Sequence, residues 1–202
     1  MATRNKPKKP QASAKAQARK AKPQVGRTKP QAKRARVVLD ELTRLAQIAA
    51  GMLDGEEVKG IVTPLAMQYI ANPDPAHIFL SGDYFDVDHE LFLRAKKLML
   101  RLQRLAKLPM SCSLWLPIPG KRQVTCAVQN GPYARYYSFG QERLALPDEM
   151  AKAFKTGRVS AAPYREGDRL RTALAPVRDS LGDVVALMEL SAPMNLPAPA
   201  WS

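Results

Sequence analysis

Arginine and tyrosine alternate in two places along this chain. In Tyr133-Ala-Arg-Tyr-Tyr-Ser-Phe139 a two-residue period puts Tyr133, Arg135, Tyr137 and Phe139 on one side of an extended segment. In Arg169-Leu-Arg-Thr-Ala-Leu-Ala175 the same period groups Arg169, Arg171, Ala173 and Ala175. A guanidinium offers planar, paired N–H donors, so arginines beside tyrosine hydroxyls suit a carboxylate or a phosphate. The same alternation also describes an outward sheet face with aromatics stacked across strands. A shielded position beside a cavity separates the first case from the second.

Catalytic chemistry has less to stand on. His77 and His89 lie in or beside one loop without metal-ligand spacing, and neither Cys112 nor Cys126 has an evident base partner. No glycine-rich phosphate loop precedes a helix. The acidic run Asp83, Asp86, Asp88 and Glu90 lacks the spacing and obligatory glycine of an EF-hand, so Asp86 or Asp88 reads as the N-cap of the following helix. The expectation is a binding protein and not an enzyme, with no metal and no cofactor.

The elements that must position these residues follow from periodicity. Val38, Leu42, Leu45, Ala49 and Met52 recur at helical spacing, and Gly51 and Gly55 mark the end of that helix. A second helix starts near Glu56 and is interrupted at Pro64, with Asn72-Pro-Asp-Pro75 closing the segment. Leu91, Ala95, Leu98, Leu102 and Leu105 form the stripe of a long helix over 88–107. Arg94, Lys97, Arg101 and Arg104 form a basic stripe beside it, readable as a solvated face or as a second polyanion contact.

Beyond Pro109 the period becomes two. Residues 111–117 and 122–128 flank Ile118-Pro-Gly-Lys121 as a hairpin, and 133–139 would add a third strand. A short helix from Leu146 to Gly157 carries Pro147 at its start and a glycine C-cap. An edge segment over 158–164, strands over 169–178 and 184–191, and the turn Asp179–Asp183 complete the body. Helices first, then five or six antiparallel strands with one inserted helix, is an α+β arrangement.

Charge divides the chain of 202 residues unevenly. Of its formal charge of +14, +13 comes from residues 1–38, which hold thirteen Lys or Arg and no acid, leaving 19 bases against 18 acids in the rest. Residues 1–37 also lack Leu, Ile and aromatics, and Pro7, Pro10, Pro23 and Pro30 interrupt helices, so this stretch reads as a disordered polybasic tail. Lys8, Lys9, Arg19, Lys20, Lys22, Lys33, Arg34 and Arg36 are its candidate contacts to nucleic acid or another polyanion, through counterion release. Anionic membranes and acidic proteins would also satisfy them. No apolar run reaches membrane-spanning length and no hydrophobic segment follows the basic start, so a cytoplasmic protein is expected. Residues 193–202 read as a proline-rich loose end.

The body over 39–192 resembles the Cache-type (PDC-like) branch of PAS-fold sensor domains. The likeness rests on Gln129-Asn-Gly131, on the Leu146-Pro147…Gly157 helix, on Ala175-Pro-Val-Arg178 before a glycine turn, and on Val184-Val-Ala-Leu-Met-Glu-Leu190 after it. Ile48-Ala-Ala-Gly-Met-Leu-Asp-Gly55 and Asp86–Leu105 look like the helices that precede such a sheet and pack beside it. The resemblance implies N-terminal helices beside a five- to six-stranded antiparallel sheet, with a ligand held between the sheet and its inserted helix. Trp115, Tyr133, Arg135, Tyr137, Tyr164, Arg169 and Arg171 would line that pocket, for a small anion such as a carboxylate or amino acid. A membrane span before the first helix and a signalling module after the sheet, usual in such proteins, are not found, so output is expected through conformation or a partner. A homodimer through the N-terminal helix, or a scaffold keeping the fold without a ligand, are the accompanying expectations.

Overall fold

The computed structural model describes residues 29–72, 87–106, 108–132, 144–161 and 170–193. The first helix, α1 (Lys29–Met52), begins nine residues ahead of the apolar stripe. The expected tail boundary at residue 37 falls within this helix. Ala, Gln, Lys and Arg over 31–36 are strong helix formers, and Pro30 falls in the first turn, where its missing N–H is no loss. Helix α2 (Gly55–Ile61) starts at the cap Asp54, whose carboxylate accepts from Glu56 N at 2.8 Å. Thr63 caps α3 (Pro64–Ala71), so Pro64 opens a helix where the sequence suggests a bend. Helix α4 (His89–Leu105) is capped by Asp88, whose Oδ1 accepts from Leu91 N at 3.0 Å. The acidic run thus has its capping role at Asp88; Asp83 and Asp86 lie outside the described residues.

Among the described residues six strands form one antiparallel sheet: β1 (Ser111–Pro117), β2 (Gln123–Asn130), β3 (Leu144–Ala145), β4 (Ser160–Ala161), β5 (Leu170–Arg178) and β6 (Val184–Pro193). Their order across the sheet is β3-β2-β1-β6-β5-β4, so the last strand, β6, sits at the centre beside β1. Helix α5 (Asp148–Thr156) intervenes between β3 and β4 and ends at Gly157, which takes the left-handed conformation (φ 59°). The expected strand over 133–139 lies outside the described residues, and the edge segment pairs with β5 only through Ser160 and Ala161.

The two faces of the sheet are covered differently. Leu114, Leu116, Ala173, Ala175, Val177, Ala186, Met188 and Leu190 point to one side and join Leu42, Ala46, Val58, Ile61, Met99 and Leu102 of α1, α2 and α4 in the main core. Trp115, Val124, Leu174 and Leu187 point to the other, where Met150 and Ala153 of α5 close a smaller cluster. A bulge makes this partition possible on β2. Leu114 faces Val128 but Trp115 faces Cys126, so Ala127 is the extra residue. Cys112 is fully buried in the main core, which pushes its thiol up to about 12. It is an inert apolar filler.

Close backbone approaches hold the ends together. A Cβ on Gly55 would stand 2.2 Å from the Arg178 carbonyl oxygen, so α2 can start against the end of β5 only with glycine there. The Arg178 guanidinium donates to the carbonyls of Gly182 and Gly157, tying the β5–β6 turn to the end of α5. At the opposite end of the sheet, Gln103 of α4 donates to the carbonyls of Met110 and Asn130 at 2.8 and 3.2 Å.

Candidate functional site

Strand alternation decides which side chains can meet. On the α5 side, cross-strand register lines up Gln129, Ser113, Glu189 and Leu174 in one row. The row on one side of it holds Ser111, Ser191 and Thr172, and the row on the other side holds Cys126, Trp115, Leu187 and Pro176. Most of these groups are polar, yet Ser111, Trp115, Thr172 and Ser191 are buried. Buried polar atoms need partners, and a chain of hydrogen bonds supplies them. Trp115 Nε1 donates to Glu189 Oε2 at 2.5 Å, Ser191 Oγ donates to Glu189 Oε1 at 2.8 Å, and the hydroxyls of Ser191 and Thr172 stand 3.4 Å apart. Gln129 Oε1 is shielded from solvent with no hydrogen-bond partner among the described residues.

This arrangement can hold a small polar molecule. The Glu189 carboxylate is an acceptor within this network, taking one bond from Trp115 and one from Ser191. Gln129 adds a further acceptor on the same row. The face therefore favours a ligand that brings N–H or O–H donors.

Of the seven residues expected to line a pocket, two are described. Trp115 is at the centre of this network. Arg171 is on the other face: it shares the parity of Ala173, Ala175 and Val177, pairs with Ala192 and is half-buried on the side of α1. Trp115 and Arg171 are therefore not brought together, because one sheet cannot present both parities of β5 to the same side. Tyr133, Arg135, Tyr137, Tyr164 and Arg169 lie outside the described residues. The segments that carry them join the sheet near the network, at Asn130 of β2 and Leu170 of β5. Of the polyanion candidates, Lys33 and Arg34 are positions of α1, and Arg36 is exposed with Nε 4.0 Å from Asp40 Oδ2. Lys8, Lys9, Arg19, Lys20 and Lys22 lie outside the described residues.

Sequence reasoning passes over Glu189, Ser191 and Thr172. The signal is nonetheless there: in Met188-Glu-Leu-Ser-Ala192 the polar residues Glu189 and Ser191 fall on one parity and Met188, Leu190 and Ala192 on the other. A carboxylate within the last strand of a buried sheet calls for a partner.

A groove of about 300 Å³ lies elsewhere, between Gln47, Ala50 and Gly51 of α1, Val159, and Ala175 and Arg178 of β5. Among the described residues no three His, Cys, Asp or Glu side chains are placed to share a metal ion, and no helix is long and apolar enough to cross a membrane.

No family model and no curated protein matches the chain. Solved structures show distant likenesses. One is an IclR homolog from Microbacterium hydrocarbonoxydans complexed with 4-hydroxybenzoate, at 17% identity over 55% of this chain and 62% of that one, TM-score 0.36. Another is the ligand-binding domain of the Campylobacter jejuni chemoreceptor Tlp3 with 4-methylisoleucine, at 13% identity over 79% and 60%, TM-score 0.38. The same domain with L-valine gives 12% identity over 81% and 62%, TM-score 0.36. The chain thus spans about three-fifths of the length of the solved chains it matches.

Proposed function

We propose that this chain is a Cache/PAS-like sensor module that binds a small polar ligand between α5 and the sheet face carrying Trp115, Glu189, Ser191, Thr172 and Gln129. The observation that carries the reading is the buried hydrogen-bonded chain from Trp115 through Glu189 to Thr172, with Gln129 Oε1 beside it. The acceptors on this face, Glu189 and Gln129 Oε1, suit a ligand with donors better than a simple anion. An amino acid fits better, since its ammonium group would meet Glu189 and its carboxylate would be left to an arginine such as Arg135 or Arg169. The role is binding without catalysis, in the cytoplasm, with output through conformation or a partner. Exposed Val37, Ile48 and Met52 on α1 would supply a homodimer surface.

The basic segment ahead of α1 belongs to the same proposal, as a salt-sensitive contact to nucleic acid or another polyanion. Because α1 starts at Lys29, cutting the chain at residue 38 would cut a helix. Replacing Lys8, Lys9, Arg19, Lys20 and Lys22 by Gln in the full chain tests the tail cleanly. Unchanged DNA affinity after that replacement removes this half of the proposal.

The second reading is a scaffold that keeps the fold without a ligand. It is favoured by the α5 half of the same face, where Trp115, Leu174, Leu187 and Met150 pack on one another as ordinary core. A thermal-shift screen of the full chain against amino acids, small carboxylates and nucleotides separates the two. A ligand at 100 times its Kd stabilises by about 2.7 kcal/mol. No shift with any of them supports the scaffold.

A further inference from the structure

The outer face of α4 carries cations that no acid pairs with among the described residues. From Leu91 to Gln141 the chain contains nine Lys or Arg and no acid. At the start of α4 the nearby acids are already engaged: Arg94 pairs with Glu57 of α2 and with Glu90 at 2.5 Å. Farther along, Lys97, Arg101 and Arg104 are exposed and have no ion pair among the described residues. The helix beneath them is firmly held. Asp88 caps its start, Ala95, Met99 and Leu102 are buried in the main core, and Gln103 clamps its end to β1 and β2. The three cations are thus presented on a rigid rod rather than on a loose segment.

We infer that this face is a second, ordered contact for the phosphate backbone of a nucleic acid, distinct from the basic segment ahead of α1. Lys97 to Arg104 spans about 10 Å of helix at roughly 1.5 Å per residue. Duplex DNA presents one charge per about 1.7 Å of its axis, so that length faces about six phosphates. Long, flexible cationic side chains can follow such a ladder without base contacts, which gives affinity without sequence choice. A membrane surface fits less well. The outward leucines, Leu93, Leu100 and Leu105, are 37%, 39% and 76% exposed, and Lys97, Arg101 and Arg104 interleave with them. An interfacial helix needs a continuous apolar side, and α4 has turned its own inward.

This inference rests on the polyanion half of the proposed function, but its test can fail separately. In the full chain, Lys97→Glu, Arg101→Glu and Arg104→Glu are combined. A control combines Lys152→Glu, Lys155→Glu and Arg158→Glu, which make the same charge change at exposed positions in and just beyond α5. Binding to a mixed-sequence DNA duplex is measured across a salt series, with the tail-neutralised variant alongside. The α4 variant should lose roughly tenfold or more in affinity near 0.1 M salt, and its salt slope should fall by about 2–3, close to 0.9 per lost phosphate contact. The control should lose several-fold less. Equal losses in the two variants, or no loss in the α4 variant, overturn the inference. So does a loss confined to vesicles containing phosphatidylserine, which would assign the face to membranes. A weakened tail variant beside an unchanged α4 variant retains the proposed function and rejects this extension. Lys97→Gln, Arg101→Gln and Arg104→Gln provide the milder set if the glutamates impair folding.

Discussion

One sheet serves two unlike faces. Towards α1, α2 and α4 its central strands present Leu114, Leu116, Ala173, Ala175, Met188 and Leu190 to a large apolar core. Towards α5 the same strands present Trp115, Ser113, Glu189, Ser191 and Thr172, and among the described residues the apolar cluster of α5 covers the Trp115 and Leu187 part of that face. The difference lies in single-residue parity. Met188 and Glu189 are neighbours in sequence, and the pleat sends one into the main core and the other into a hydrogen-bond network. The first face keeps the protein folded, while the second spends burial on polar groups that add little net stability and so point to a task.

The largest effect should come from the apolar side. Leu190→Ala removes a fully buried side chain from a core that cannot collapse around it, at a cost of about 3–5 kcal/mol in denaturant unfolding. Loss below about 1 kcal/mol would mean that this face is not the stabilising one. A smaller effect is expected across the sheet. Trp115→Phe keeps a smaller aromatic ring but removes the donor to Glu189, at a cost of about 1–3 kcal/mol. A neutral result would show the network to be dispensable for stability and would sharpen the contrast.

The smallest effect concerns the junction of α2 with the β5–β6 turn. Lys59 donates to Asp179 and pairs with Glu56, and Ser180 donates to Glu56. These bonds hold the Glu56 carboxyl below its ordinary range. Burial pushes Asp179 up, but Lys59 and the amides of Asp183 and Leu181 outweigh it, and the net shift is downward. A carboxyl whose pKa is lower folded than unfolded contributes stability above its ordinary range and loses it as pH falls through the lowered value. Melting temperatures followed downward from neutrality should therefore drop more steeply below about pH 4 in the native chain than in Lys59→Met. Parallel curves would show that the junction contributes nothing.

The elements were more legible in the sequence than the site. The stripe Leu91–Leu105, the cap Asp88, the hairpin around Gly120 and the glycine end of α5 are local signals, and each forms where its residues indicate. The start of α1 was misjudged because proline and charge suggested disorder, although the residues after Pro30 favour helix. The site depended on register, which is not local. Arg171 and Trp115 look compatible as residue types, and only the register and packing show that the face Arg171 shares with Ala173 and Ala175 is the one opposite Trp115. Glu189 was hidden in a run read for its apolar residues, and its role became visible once Trp115 and Ser191 were seen to reach it.

The central claim is that the α5-side network is a binding surface rather than a polar seam in the core. The decisive measurement is the thermal-shift response of the native chain and of Glu189→Gln to the same panel of amino acids. The account predicts a concentration-dependent rise in melting temperature for at least one amino acid in the native chain, abolished in Glu189→Gln while that variant melts cooperatively without ligand. An equal rise in both proteins, or none in either, would contradict it.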